Sequence, residues 1–260
     1  VVHEQNWLNC DPKQLKTAIR HINEFGRFRG ERGLPKLLPG LNFIAGLNGE
    51  TESTYRQNRE LLTELKNDGM WLRRINIRQV QGDGFQEIPE DDFVSFKQFV
   101  RDEIDAPLLS EMFPMGQLLR EIRWESHDDR IRLPRHLEDE IHRSEICRGK
   151  PGITFGRQIG AYPILVGLPY HSPLETISDV IITGHGKRSI TAVELGIDIN
   201  KATQKQLEAI PGIGENSSWK IVSERVKKGH KGKVFDSVEE AFESVGIEIP
   251  KIAEQVLVVN

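Results

Sequence analysis

The sequence is poor in cysteine: its 260 residues include two, Cys10 and Cys147. Two thiols cannot build the disulfide framework of a small secreted domain. Nor can they alone ligate an iron–sulfur cluster, which takes four thiolates, or three plus another ligand. Long apolar runs are missing too. None approaches the ~18 residues of a membrane span, and no signal-peptide pattern leads a chain that opens on Val1. The missing initial Met points to a truncated or processed chain. An excess of positive charge is also lacking. Lys and Arg number 35 against 39 Asp and Glu, and the net charge of −4 argues against a uniformly basic nucleic-acid binder. What is present is a globular composition, 37% hydrophobic and 28% charged, which excludes a disordered or collagen-like chain.

The charge is unevenly spread. Residues 81–140 hold sixteen acidic against seven basic residues, a net of −9. Residues 199–233 hold eight basic against three acidic, a net of +5, and residues 234–260 return to −5. Electrostatic binding follows the local field, so a basic segment between acidic ones counts for more than the sum.

The first third alternates helix and strand. Asp11-Pro12 starts a helix, with Asp as cap and Pro in the first turn. Leu15, Ala18, Ile19, Ile22 and Phe25 follow at helical spacing, and Gly26 closes the helix. A Gly/Arg-rich loop runs from Gly26 to Gly33. Leu41–Leu47 reads as a short strand ending in Gly. Thr51 opens a helix that stops before Gly69, and Leu72–Val80 reads as a second strand. Glu90-Asp91-Asp92 place negative charge at the start of a further helix, which Pro107 is expected to end. This series belongs to an α/β fold with parallel strands, and two strands alone do not make a stable parallel sheet. The orphaned strands allow self-association as a homo-oligomer. Gly46-Leu47-Asn48-Gly49-Glu50 lies at the carboxyl end of a strand and before a helix N-terminus, where α/β folds bind ligands. Its plain alternative is a tight turn with an exposed Glu50.

Residues Pro39–Thr51 resemble the fifth-strand segment of the radical S-adenosylmethionine (SAM) barrel, which lies against the adenine of SAM. Leu72–Val80 is similar to the sixth strand of an archaeal subfamily that joins this barrel to C-terminal nucleic-acid modules. Val1–Gly26 resembles the connection and helix after the fourth strand. The resemblance implies SAM and a [4Fe–4S] cluster as cofactors of the complete family protein. It makes Gly46, Gly49 and Glu50 the SAM-proximal residues. The three-cysteine cluster motif is absent here, so no cofactor is expected on this chain alone, no catalytic or metal-ligating residue is assigned, and the chain should be inactive by itself.

The middle of the chain reads as a small β-rich domain. Gln117–Glu125, Ile153–Gln158, Ala161–Leu168, Ser178–Thr183 and Arg188–Val193 are short strands separated by turn residues, and 134–146 is an inserted helix. The section resembles a TRAM-type, OB-like RNA-binding barrel. Arg157, Lys187 and Arg188 with Phe155, Tyr162 and Tyr170 either form a stacking surface or divide between a solvated rim and a core. His127, His136, His142 and Cys147 fit no common zinc spacing.

Asp198–Gly214 is similar to a helix-hairpin-helix DNA-binding element. Thr203 and Gln206 form a capping box, and Ile210-Pro211-Gly212-Ile213-Gly214 is the hairpin. Gly212 and Gly214 permit the tight turn, and Ile213 is the apolar plug. The turn opens a helix whose first N–H groups can meet a phosphate. Lys220, Lys227 and Lys228 add cationic charge along that helix. The alternative is a protein–protein hairpin. A second, degenerate copy from Phe235 to Pro250 places Glu248 where a hairpin glycine would stand, so it reads as packing support.

The expected architecture is therefore α/β plus small domains. It comprises a partial radical SAM-type barrel over 1–112, a TRAM/OB-like barrel over 113–195 and a helix-hairpin-helix pair over 196–260. The expected function is that of the C-terminal region of a cytoplasmic radical SAM protein whose partner is nucleic acid, DNA or RNA, with no membrane contact. The alternative is a non-catalytic binding protein that retains a barrel remnant.

Overall fold

A computed structural model describes residues 2–6, 8, 11–80, 82, 90–128, 152–160, 163–230 and 234–260. The chain divides into two compact units, Val1–Met112 and Phe113–Asn260. The expected helix at 134–146, Cys10, Cys147, His136, His142 and Tyr162 lie outside the described residues.

The first unit begins with a short helix, α1 (Val2–Gln5), and a longer one, α2 (Pro12–Gly26). Asp11 caps α2 by accepting from the Lys13 N–H, and Pro12 fills the first turn. The apolar stripe expected along α2 is only partly used. Ile19 and Gly26 are buried, but Phe25 is 71% exposed. The buried position between Ile19 and Gly26 belongs instead to a polar side chain, Asn23. Its amide donates to the Ile19 and Trp71 carbonyls and its oxygen accepts from the Trp71 N–H. Burial is tolerated because each polar atom is partnered.

Strands β1 (Gly40–Ala45) and β2 (Arg74–Gln79) pair in parallel, with Leu41 opposite Ile75 and Phe43 opposite Ile77. Helix α3 (Glu52–Asn67) connects them. Thr51 and Thr54 close a reciprocal capping box at its start, and Gly69, at φ +68°, turns the chain out at its end. Leu62, Leu65, Tyr55, Ile75, Phe96 and Ile104 form the core, and Phe96 meets Phe43 and Tyr55 edge-on.

The helix expected to stop at Pro107 does not. After α4 (Glu90–Phe99) the chain widens into a π-helical stretch, Val100–Asp105, and continues as α5 (Ala106–Met112). Pro107 has no N–H for the Glu103 carbonyl four residues back. The wider register lets the Ala106 N–H reach Arg101 O, and the Lys66 ammonium donates to Glu103 O at 2.7 Å. The helix survives its proline because the orphaned acceptor finds a donor in another element.

The second unit opens with a closed five-stranded barrel. Its strands are β3 (Leu118–Asp128), β4 (Ile153–Gln158), β5 (Leu165–Leu168), β6 (Ile177–His185) and β7 (Ser189–Glu194). The order around the barrel is β3-β4-β5-β7-β6. All neighbours are antiparallel except β5 and β7. The third strand begins at Leu165, Ala161 lying outside the described residues, while β3 runs on to Asp128. Gly156 is buried, and a side chain there would strike the Trp124 ring and the Arg123 carbonyl. Trp124 itself is fully buried. Its indole N–H reaches Ser178 Oγ and Glu194 Oε1, which also accepts from Ser172 and Ser178. Among the described residues no helix is long and apolar enough to cross a membrane.

After the barrel come β8 (Ile197–Asp198) and four helices: α6 (Gln204–Glu208), α7 (Glu215–Gly229), α8 (Val238–Glu243) and α9 (Lys251–Val256). The chain then runs into β9 (Leu257–Val258), which pairs in parallel with β8 and ties the end of this segment to its beginning.

Candidate nucleic-acid interface

Two helical hairpins, α6–α7 and α8–α9, make up the tail. Thr203 and Gln206 cap α6 reciprocally: the Gln206 N–H donates to Thr203 Oγ1 at 3.2 Å and the Thr203 N–H to Gln206 Oε1 at 2.8 Å. The Ile213 N–H closes the following turn on Ile210 O at 3.0 Å. Gly212 then takes φ +94°, where side-chain-bearing residues are strained. Ile213, 3% exposed, plugs the space between the helices.

Gly214 is the N-cap of α7 at φ −83°, and with no side chain it leaves the first amides of that helix without a side-chain acceptor. A Cβ on Gly214 would meet no atom within 4 Å, so nothing within the protein demands glycine there. The arrangement is an exposed helix N-terminus on a 15-residue helix, the geometry that suits an anion.

The lysines divide. Lys220 is exposed and enters no ion pair among the described residues. Lys227 is exposed and 3.2 Å from Glu224. Lys228 turns inward, bonded to Glu240 of the second hairpin and lying over the Phe235 ring, so its charge is already answered inside the protein. Trp219, 46% exposed, stands beside Lys220.

The second hairpin supports the first. Ser237 caps α8, accepting from the Glu240 N–H at 3.1 Å, and Gly246 makes the turn at φ +69°. Pro250, the N-cap of α9, packs against Gly212 so closely that a Cβ there would lie 2.8 Å from Pro250 Cγ. Glu248 is exposed. Asn200 exchanges two hydrogen bonds with Phe235, and Arg225 donates to the carbonyls of Ile199 and Ala202.

On the barrel, Tyr170 is 1% exposed, with the Glu194 N–H on its hydroxyl, and belongs to the core. Phe155 is half-buried and shares its strand with Arg157, which pairs with Glu125. Lys187 and Arg188 are exposed in the β6–β7 turn. His127 stacks on His171 at 4.1 Å between ring centroids and meets the Ser172 carbonyl. Among the described residues no group of His, Cys, Asp or Glu is arranged to hold a metal ion.

In the first unit, Gly46 and Gly49 take φ +91° and +80° in the turn after β1. Glu50 follows but points inward. Only 3% exposed, it accepts from the Gly46 N–H and lies beside Tyr55. Burial raises its pKa, opposed by the Gly46, Tyr55 and Leu47 hydrogen bonds. The same burial, with the Glu50 charge, raises the Tyr55 phenol. Asn6 bonds both the Asn48 N–H and its carbonyl, and Gln5 covers Gly49. Gly46 and Leu47 are buried, so a group approaching this turn would meet Asn48 and Gly49 beside Gln5, not the Glu50 carboxylate. An iron–sulfur cluster does not fit this chain, whose two cysteines, Cys10 and Cys147, fall short of the thiolates it needs.

No protein-family model matches the chain. It is 37% identical over 221 residues to an uncharacterised protein of Archaeoglobus fulgidus, covering 81% of this chain and 37% of that protein. It is 35% identical over 201 residues to an uncharacterised protein of Methanocaldococcus jannaschii, covering 73% of this chain and 33% of that one. The chain thus spans about a third of the length of these archaeal relatives.

Proposed function

We propose that this chain is the nucleic-acid-engaging C-terminal region of a longer archaeal protein of radical SAM type, and that its first helical hairpin grips a phosphate. The observation that carries this is Gly214. It caps α7 in an ordinary conformation with open space around it, so its lack of a side chain serves whatever approaches the helix amides. Lys220 stands exposed on the same helix. The hairpins have the makings of a helix-hairpin-helix pair, the basic copy facing phosphate and the acidic copy buttressing it. The barrel's strand order, with its single parallel contact between third and fifth strands, supports the OB-like reading, a fold often used for oligonucleotides.

The radical SAM part of the reading rests on the resemblance of residues 39–51 and 72–80. The β1–β2 pair is compatible with two neighbouring barrel strands, and the longer relatives leave room for the others. No chemical step is assigned to this segment. Backbone amide NMR during titration with a short DNA duplex tests the hairpin role. Shifts should concentrate at Gly212, Gly214, Glu215 and Asn216. Shifts confined to the second hairpin, or none, would refute it.

A further inference from the structure

The Gly/Arg-rich loop of the first unit is an ordered hairpin. The Leu37 N–H bonds Gly26 O, Lys36 N–H bonds Phe28 O, Gly30 N–H bonds Leu34 O, and Arg29 bridges to Pro35. Gly26 is obligatory there, since a Cβ would lie 2.2 Å from the Leu37 carbonyl oxygen. Arg29 fastens the hairpin, donating to Gly33 O and Met112 O with its guanidinium over the Trp71 ring. Trp71 is held in turn by Glu111, and Arg27 lies over the same ring at 4.9 Å.

On this braced frame two phenylalanines face solvent, Phe25 at 71% and Phe28 at 63%. Around them Arg27, Arg32 and Lys36 are exposed, and between residues 25 and 37 the one acidic residue is Glu31. The core of a stable protein–protein interface is depleted in charge. Exposed aromatics interleaved with cations on a preorganised backbone instead match what unpaired bases and phosphates require.

We propose that the 25–37 hairpin is a binding surface for single-stranded nucleic acid. Phe25 and Phe28 stack on unpaired bases, and Arg27 and Lys36 meet the phosphates. The surface lies wholly in the first unit and is independent of the phosphate-gripping hairpin in the tail.

The test is fluorescence anisotropy of labelled oligo(dT) and oligo(U) with the full 260-residue chain. Each lost stack weakens binding by about 5- to 150-fold. Phe25→Ala with Phe28→Ala should therefore cost at least about 25-fold, with thermal stability unchanged because both side chains are exposed. Phe28→Tyr should retain affinity and Phe28→Leu should lose it, since only the former keeps an aromatic face. Lys36→Gln should flatten the salt slope by about 0.7. Gly214→Glu should leave single-strand affinity intact, which separates this site from the tail. A preference between the two oligomers distinguishes DNA from RNA as the ligand. The proposal is overturned if neither oligomer binds, or if Phe28→Leu binds as well as wild type. It is equally overturned if the double variant only dissociates a self-associated chain without changing oligomer affinity.

Discussion

Two glycines two residues apart should differ sharply in their tolerance of a side chain, because the fold requires one and leaves open space around the other. Gly212 sits at φ +94°, and an added Cβ would lie 2.8 and 2.9 Å from Pro250 ring carbons. A non-glycine residue in such a backbone conformation costs about 1–3 kcal/mol. The overlap with a stiff ring adds about 1–3 kcal/mol. Gly212→Ala should therefore destabilise the second unit by about 2–6 kcal/mol. At a urea dependence of about 2 kcal/mol/M, the midpoint falls by about 1–3 M. Gly214→Ala meets neither penalty, since φ is −83° and the space is empty, and should cost no more than about 1 kcal/mol. Urea denaturation followed by tryptophan fluorescence reads both, with Trp219 close to the hairpin. The reasoning fails if Gly212→Ala stays within about 0.5 kcal/mol of wild type, or if Gly214→Ala is as damaging.

Asn23→Leu in the first unit strands the Trp71 N–H and carbonyl away from water and should cost about 2–4 kcal/mol by denaturant titration; an unchanged midpoint would contradict the assigned bonds. Glu50 gives a pH signature. Its raised folded pKa means its contribution is fully present below the ordinary carboxylate pKa and is lost as pH rises through the raised value. Glu50→Gln should therefore flatten the fall in first-unit stability across that window, and parallel profiles for the two proteins would refute the inward placement. Lys66→Met removes the donor to Glu103 O and should raise amide hydrogen exchange across Val100–Asp105; unchanged exchange would mean that the proline-bearing turn is held by other contacts.

Features set by local chemistry were legible in the sequence. Asp11-Pro12, Thr203 with Gln206, and the glycines at 69 and 212 announce helix ends and turns because caps and left-handed turns depend on a few adjacent residues. What escaped depends on distant partners. Pro107 looks like a stop until Lys66 supplies a donor from another helix. Phe25 falls on the helical period yet faces solvent, because Asn23 takes the buried place by pairing with Trp71, 48 residues away. Lys228 counts as one more cation in a basic segment until Glu240 is folded against it. Glu50 resembles an exposed ligand at a strand end, and only its burial beside Tyr55 reveals an inward role. The parallel tie between Ile197–Asp198 and Leu257–Val258 is two residues long, too short to leave a periodic signal.

The central claim is that the first tail hairpin grips nucleic acid through phosphate. The affinity of the full chain for a short DNA duplex, measured across salt concentrations, tests it most directly. The account predicts that log affinity falls linearly with log salt at a slope of about −2 to −3, as for two or three phosphates contacted. It also predicts that Gly214→Glu, which puts a carboxylate at the helix mouth, abolishes binding while the fold persists. A flat salt response, or undiminished binding by Gly214→Glu, would contradict it.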